Sequence, residues 1–140
     1  MYKYLFMTLL VTLFIPALGQ EQNRPQRLVV AEFANKTGEE DLDWIGLGLR
    51  VELTRRLMRA ESLVVSDTPA FNRIRNELGL VNRDLSEPEI ASELARELGA
   101  QRVVVGEYVK APTGITVSAR IINVENSEAI GDKTSATGSP

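Results

Sequence analysis

The sequence contains no cysteine and no histidine. The lack of cysteine excludes disulfides, thiolate metal sites and a lipid attached through a lipobox cysteine. The lack of histidine removes the commonest general base, the Ser-His-Asp triad and the usual zinc ligand. The sequence also has no P-loop, no G-x-G-x-x-G turn, no G-x-S-x-G elbow and no S-x-x-K nucleophile. Catalysis would fall to Ser, Thr, Lys or carboxylate side chains, so we expect no enzyme, no cofactor and no metal.

Residues 1–19 have the pattern of a secretory signal peptide. Lys3 supplies the positive charge, residues 5–18 are mostly apolar, and small residues precede the polar segment that starts at Gln20. The alternative is an uncleaved anchor, but the apolar run of ~14 residues is short of the ~20 needed to span a bilayer. We expect cleavage, export to the periplasm and no integral membrane segment afterwards. A compartment outside the cytoplasm normally lacks nucleotides, so a nucleotide-using enzyme is not expected.

Composition indicates one globular domain after the signal. The chain of 140 residues is 44% hydrophobic and 25% charged, with a net charge of −3 that becomes −4 without Lys3. This mildly acidic balance gives no reason to expect nucleic acid or an anionic membrane as a partner. We predict a flexible lead at 20–26, a domain at 27–134 and a flexible tail at 135–140. The tail stops without a domain-ending feature, which is typical of a fragment or of the front part of a longer protein.

Hydrophobic periodicity predicts a single α/β domain with a mixed sheet and helices packed on it. The expected element order is β-α-β-α-α-β-β with a further last β, in which a βαβ crossover precedes an antiparallel meander. The strand at Val103–Val105 is expected near the sheet centre. In the first helix, predicted from residue 42 to residue 60, apolar residues recur every three or four positions and form one stripe: Leu42, Ile45, Leu49, Leu53, Leu57 and Ala60.

Helix caps are predicted at two further positions. Thr68 is expected to cap a helix that starts at Pro69. Ser86 is expected to form a capping box with Glu89. Gly99 is expected to terminate that last helix as its C′ residue.

Charged clusters give only weak functional signals. The acidic residues 39–43 suggest a divalent cation loosely, but their spacing does not match an EF-hand, and stabilisation of a helix N-terminus is the favoured interpretation. The arginines Arg55, Arg56 and Arg59 are interpreted as a solvated helix face with local ion pairs rather than as a phosphate site. Residues 35–37 match a glycosylation acceptor, a pattern that is common by chance.

Two residues in the first helix require separate interpretations. Trp44, the only tryptophan, is expected to pack at the edge of the core, and contact with a partner is the alternative. Gly48 costs ~1 kcal/mol relative to alanine inside a helix. Together with Gly46 it is interpreted as a close approach of the helix to the sheet or to the loop at 35–38, with a surface for a partner backbone as the secondary hypothesis.

Four segments in order resemble TolB amino-terminal-like domains. Residues 33–38 resemble the family's F-x-N-x-[ST]-G opening, and residues 45–53 resemble its G-L-x-x-x-L first helix. Residues 95–108 resemble its LG-x-x-x-V-x-G element, and residues 115–124 resemble its hairpin with the R-L-I-D-x-x-T-G motif. The residues that carry the resemblance or lie at an interaction surface are Phe33, Asn35, Thr37, Gly38, Trp44, Gly48, Gly99 and Gly106.

The resemblance implies a bacterial cell-envelope domain that binds other proteins and is not an enzyme. The family includes curli-secretion and flagellar outer-membrane accessory proteins, which implies a position peripheral to the outer membrane. Other envelope proteins are the expected partners, and they would contact the open sheet edge or the loop at 35–43. One alternative is an oligomerising subunit of a secretion or flagellar assembly, and a carboxylate-based enzyme is the other.

Overall fold

The computed structural model describes residues 24–138. The predicted signal peptide and most of the predicted lead lie outside this range. The strands are β1 (Gln26–Val30), β2 (Ala34–Asn35), β3 (Leu63–Val65), β4 (Arg102–Ala111), β5 (Gly114–Asn123) and β6 (Ala129–Gly138). The helices are α1 (Trp44–Leu57), α2 (Thr68–Glu77) and α3 (Pro88–Glu97), and a 3-10 turn at Glu40–Leu42 precedes α1. Within residues 24–138, no helix has both the length and the apolarity that crossing a membrane requires.

The sheet is mixed, as predicted. Its strand order is β3-β1-β4-β5-β6, and β2 continues the line of β1 along β4. Strands β1 and β3 are parallel, β1 and β4 are parallel, and the pairs β4–β5 and β5–β6 are antiparallel. This arrangement confirms the βαβ crossover, the meander and the central position of Val103–Val105.

Helices α2 and α3 cover one face of the sheet. Phe71 on α2 and Leu94 on α3 are almost completely buried, and they pack over Val29 of β1 and Val103 of β4. Burial of large aliphatic and aromatic side chains contributes ~2 kcal/mol each before entropy is subtracted. This face therefore holds the larger of the two cores.

Helix α1 covers the opposite face. Its inner stripe packs on Val30, Val104 and Tyr108, which confirms the predicted apolar periodicity. The helix contacts β1, β2 and β3, and no other helix of the described residues lies over the neighbouring half of this face, formed by β5 and β6. The helix is shorter than predicted because a 3-10 turn occupies its start and Met58 is its C-cap.

Both predicted N-caps are wrong. Asp67, not Thr68, caps α2, since its Oδ1 accepts from the amide of Ala70 at 2.8 Å. The N-cap position of α3 is Glu87 and no side chain caps the helix, whereas the hydroxyl of Ser86 donates to Asp84 Oδ1 at 2.6 Å. Pro88 is the first residue of α3, because its fixed φ and missing amide suit that position. Gly99 does terminate α3, with a φ of +68° that favours glycine.

The predicted flexible ends are ordered where the structure describes them. Residues 135–138 belong to β6, and β1 already begins at Gln26. Every side chain of β6 is exposed. The strand is therefore stabilised by backbone pairing with β5 and by contacts such as Thr116 Oγ1 to Thr137 Oγ1 at 2.8 Å, not by burial. Because none of its side chains is buried, the hydrophobicity pattern of this strand does not differ from that of a flexible tail.

Candidate interaction surface

The loop between β2 and α1 is organised by the side chain of Asn35. Its Oδ1 accepts from the amide of Thr37 at 2.9 Å and from the Thr37 hydroxyl at 2.6 Å. Its Nδ2 donates to the carbonyl of Glu39 at 2.8 Å and to Asp43 Oδ1 at 2.7 Å. Gly38 follows with a φ of +80°. Because the amide is fully engaged, the side chain of Asn35 stabilises the loop and does not serve as a free glycan acceptor.

Phe33 joins this loop to the core. Its side chain is 5% exposed. An added Cβ at Gly106 on β4 would lie 2.1 Å from the Phe33 ring, and one at Gly46 on α1 would lie 2.2 Å from the Phe33 carbonyl oxygen. Both glycines are therefore required for close packing around Phe33. The predicted close approach of the helix is confirmed at Gly46.

A polar cleft of about 370 Å³ lies beyond the carboxyl ends of β1 and β2. Glu32 and Arg75 form an ion pair there at 2.8 Å, and Lys36 and Asp84 form another at 2.6 Å. The hydrogen bond to Asp84 raises the pKa of Lys36. Partial burial alone would raise the pKa of Asp84, but hydrogen bonds from Lys36 and Ser86 outweigh it and lower that pKa. The charges of each pair neutralise one another, and each pair joins residues that are far apart in the sequence.

Arg50 on α1 is the largest fully buried side chain of the described residues. Its Nε donates to the carbonyl of Val30 at 3.2 Å, and its guanidinium lies 3.7 Å from the centre of the Phe71 ring. Burial lowers the pKa of this guanidinium, and Glu32 opposes that shift. The arginine thus fastens α1 to the end of β1 and contacts the core of the opposite sheet face.

The outer face of α1 is apolar and exposed. Trp44 is 64% exposed, and Leu47, Val51 and Met58 are between 43% and 50% exposed. Gly48 lies among them, and an added Cβ there would meet nothing within 4 Å. Surfaces of monomeric proteins rarely expose a contiguous set of large apolar side chains unless the set contacts something. We call this set the outer α1 stripe.

An apolar groove lies beside the outer α1 stripe. It has a volume of about 560 Å³ and runs between α1 and the half of the sheet that no helix covers. Ile45 and Leu49 line it from the helix, and Ile115, Val117 and Ala136 line it from β5 and β6. The stripe and the groove together form one continuous apolar surface on this side of the molecule.

The eight predicted site residues do not converge. Phe33 and Gly106 lie in a core contact, and the Asn35–Thr37–Gly38 segment forms the loop. Gly99 ends α3 near Arg27, at the other end of the sheet. The expectation that Trp44 packs at the edge of the core is wrong, because most of its surface is exposed. The close approach predicted for Gly48 is also wrong, because open space surrounds it.

Sequence reasoning missed most of the outer α1 stripe. Trp44, Leu47, Val51 and Met58 are spaced at three, four and seven residues, which is a second helical stripe beside the one predicted. That spacing was a usable signal. In the described part of the chain, no three side chains of the types His, Cys, Asp and Glu are grouped so as to hold a metal ion.

Several solved structures share the fold of this chain. The fold is shared with the LpoB C-terminal domain from Escherichia coli (19% identity, 83% of this chain and 85% of that chain, TM-score 0.62). It is shared with Lipoprotein GNA1162 from Neisseria meningitidis (17% identity, 80% and 81% covered, TM-score 0.63). It is also shared with a PelC dodecamer from Paraburkholderia phytofirmans (21% identity, 83% and 74% covered, TM-score 0.51). A search of curated protein sequences gives no match.

The family follows from a sequence match. Residues 9–136 match the family model described as FlgO protein, so the chain belongs to the FlgO family. The FlgO family is a family of envelope proteins, so this membership confirms the resemblance at the level of an envelope family. TolB itself is not confirmed: TolB from Acinetobacter baumannii has 9% identity and a TM-score of 0.40, and carries no argument.

Proposed function

We propose that this chain is a non-enzymatic protein-interaction and assembly module of the bacterial cell envelope, exported to the periplasm and peripheral to the outer membrane. The observation that carries the proposal is the outer α1 stripe: four large apolar side chains on one exposed helix face, continuous with an apolar groove. Apolar, tryptophan-containing surfaces are typical of protein interfaces. Membership of the FlgO family supports the compartment.

The ionic groups of the polar cleft support the same conclusion. Each charged side chain named there has an opposite charge within 2.8 Å. The Lys36–Asp84 pair joins two loops, and the Glu32–Arg75 pair joins the loop after β1 to α2. A catalytic carboxylate or lysine needs a pKa near the working pH. The shifts at Lys36 and Asp84 go the other way, since each favours the charged form.

An oligomerising subunit of an envelope assembly is the second candidate. The specific observation in its favour is the charge distribution along α1, which has acidic residues before its start and arginines in its last turn. The similar PelC structure is a dodecamer, which is a property of that protein and a reason to measure the oligomeric state of this one.

Photo-crosslinking in the native envelope tests the proposal. A photoreactive phenylalanine analogue is placed at Leu47 or Val51 on the outer α1 stripe, and at Val81 as the control. Val81 is 49% exposed and lies on the polar cleft. We expect discrete protein adducts from Leu47 and Val51 and none of these adducts from Val81. Absence of adducts at both α1 positions, or the same adducts from Val81, would contradict the proposal.

Export is measured in the same cells. Intact mass spectrometry of the periplasmic fraction is expected to give a chain that begins at Gln20. Protein that stays in the cytosol with residues 1–19 attached would overturn the assignment to the envelope.

A further inference from the structure

Helix α1 is apolar on two opposite faces. At about 100° per residue, the inner stripe is centred on Leu53 and Gly46, and the outer α1 stripe runs along the opposite side of the helix, with Arg55 near the angular position of Trp44. A surface helix is normally polar on the side away from the core, whereas a helix that is apolar all round is normally covered on both sides. The sheet covers the inner stripe, and no described residue covers the outer one.

Gly48 is the position where the helix surface leaves most room for a neighbouring molecule beside the outer α1 stripe. Glycine inside a helix is destabilising by ~1 kcal/mol relative to alanine. At Gly46 the close packing against Phe33 accounts for the glycine, but at Gly48 nothing in the described chain does. Two helices approach to about 8 Å where a small residue leaves room for a side chain of the neighbour. Gly48 is thus a hole on a surface where Val51, one helical turn away, is a projecting knob.

The charges at the two ends of α1 are opposite in sign. The acidic residues Glu40, Asp41 and Asp43 are exposed at its start, and the basic residues Arg55, Arg56 and Arg59 are exposed at its end. An antiparallel partner helix with the same distribution would bring acidic ends against basic ends at both edges of the contact. Antiparallel helices also place their macrodipoles favourably.

We propose that the outer α1 stripe docks on the outer α1 stripe of a second copy of this chain, with the two helices antiparallel across a two-fold axis. The inference rests on the proposed interaction function and names the partner. In this pairing Gly48 receives Val51 of the second copy, and Trp44 lies on the guanidinium of Arg55 of the second copy. Both contacts occur twice by symmetry, which is the property of an isologous dimer.

The flanking charges fix the register. Since Trp44 lies opposite Arg55, Glu40 lies opposite Arg59 of the second copy. The distance along each helix from Trp44 to Arg55 is about 16 Å, so one rigid pairing satisfies all the contacts. The same helix surface carries both members of each complementary pair: Gly48 with Val51, and an acidic end with a basic end. This self-complementarity favours a second copy over an unrelated protein.

The dimer is expected to be weak. A single helix pair buries less than the ~800 Å² per partner of a standard interface. The dissociation constant is therefore expected in the micromolar range, and high salt should raise it by screening the flanking charges.

Sedimentation velocity of the exported, purified full chain tests the dimer. Loading concentrations from about 1 to about 300 µM bracket the dissociation constant expected for an interface below standard size. We expect a reversible monomer–dimer equilibrium. Val51→Glu should abolish it by placing a charge at the centre of the contact, and Val81→Glu, at a position of similar exposure, should leave it unchanged. A monomer at every concentration overturns the proposal.

Gly48→Ala separates dimerisation from folding. The added methyl group fills the hole for Val51 and should raise the dimer dissociation constant about tenfold, which corresponds to ~1.4 kcal/mol. The same change should raise the melting temperature of the monomer, because alanine is the better helix former and has open space around it. A tighter dimer in Gly48→Ala would exclude the proposed close approach.

A charge exchange tests the register. Glu40→Arg and Arg59→Glu are each expected to weaken the dimer, and the double variant is expected to restore it. Weakening by both single changes without restoration would exclude this register.

The sedimentation and photo-crosslinking results distinguish the two proposals. A chain that stays monomeric but forms adducts with other proteins from Val51 refutes the second copy as occupant and keeps the interaction function. A chain that neither dimerises nor forms adducts refutes both.

Discussion

The inner and outer faces of α1 both carry large apolar side chains and a glycine, but the inner face is packed against the sheet and the outer face is exposed. Gly46 and Gly48 are two positions apart, yet an added Cβ would lie 2.2 Å from a backbone oxygen at the first and in open space at the second. Ile45 is buried on the inner face, whereas Trp44, its neighbour in sequence, is 64% exposed. The fold of the chain explains the inner face completely. Between residues 24 and 138 nothing covers the outer face, which is why we propose a partner for it.

The difference also concerns what each face contributes to stability. The inner stripe packs on β1 and β4 together with Phe33 and Tyr108, and the Tyr108 hydroxyl donates to the carbonyl of Leu42 at 2.9 Å. The outer α1 stripe has neither packing nor hydrogen bonds of that kind. Substitutions on the two faces should therefore have clearly different effects on the free energy of unfolding.

The largest effect is expected for Leu53→Asp. The carboxylate would be placed against the sheet without a partner, and the free energy of unfolding should fall by about 3 kcal/mol or more. Val51→Asp, the same type of change on the outer face, should alter it by less than ~0.5 kcal/mol in the monomer. Urea unfolding followed by far-ultraviolet circular dichroism measures both variants. Equal losses in the two variants would remove the distinction between the faces.

The glycine pair gives the next largest effect, with opposite signs. Gly46→Ala should lower the free energy of unfolding by ~1–3 kcal/mol, because the methyl group meets the rigid carbonyl of Phe33. Gly48→Ala should raise it by up to ~1 kcal/mol. Thermal unfolding at a concentration too low for dimers compares the two. A loss of stability in Gly48→Ala would mean that the chain itself requires that glycine.

The sequence was sufficient for the main features of the fold. The inner stripe from Leu42 to Leu57, the βαβ crossover and the central β4 were predictable because burial leaves a periodic apolar pattern. A last strand was predicted, but residues 135–138 of β6 were expected to be a flexible tail, because every side chain of this strand is exposed and its stability comes from the ladder with β5. The cap of α3 was misplaced by one residue: the helix begins at Pro88, so Glu87 holds the N-cap position that the capping pattern gave to Ser86.

The candidate site was predictable only in part. Asn35, Thr37 and Gly38 were recognised and do form one structured loop. Trp44 and Gly48 were recognised singly, but they were interpreted with respect to the core because one stripe was assumed for the helix. A pattern of spacings does not specify which of two apolar faces meets the sheet. That choice depends on the close packing of Gly46 on Phe33, which is a tertiary contact.

An effect of about 1–2 kcal/mol is expected for Asn35→Asp in the loop that leads into α1. The carboxylate keeps the acceptor for Thr37 but loses the donor to Glu39 and repels Asp43. Hydrogen exchange of the amides between residues 36 and 43 should accelerate, while that of α3 should follow only the global change. If the α1 dimer forms normally in this variant, the loop orders the helix start without shaping the outer α1 stripe.

The smallest effect is expected for two sets of ion pairs, whose contributions to the free energy of unfolding can be compared as the pH falls. Lys36–Asp84 joins segments 48 residues apart, whereas Glu52 pairs with Arg55 and Arg56 within α1. The pKa of Asp84 is lower in the folded state than in the unfolded chain. Its stabilisation is therefore present above about pH 4 and disappears as the pH falls through the folded value.

Asp84→Asn should remove that part of the acid destabilisation. The contribution at pH 7 is expected to be below ~1 kcal/mol, because Lys36 is nearly half exposed and water screens the pair. Hydrogen bonds from Arg56 and then Arg55 lower the pKa of Glu52, but these partners are mostly exposed neighbours on one helix. Glu52→Gln should therefore leave the acid limb of a urea-midpoint-against-pH curve nearly unchanged, whereas Asp84→Asn should flatten it. The reverse ranking would mean that pairs along the outer side of α1 contribute more to the fold than the pair between the loops.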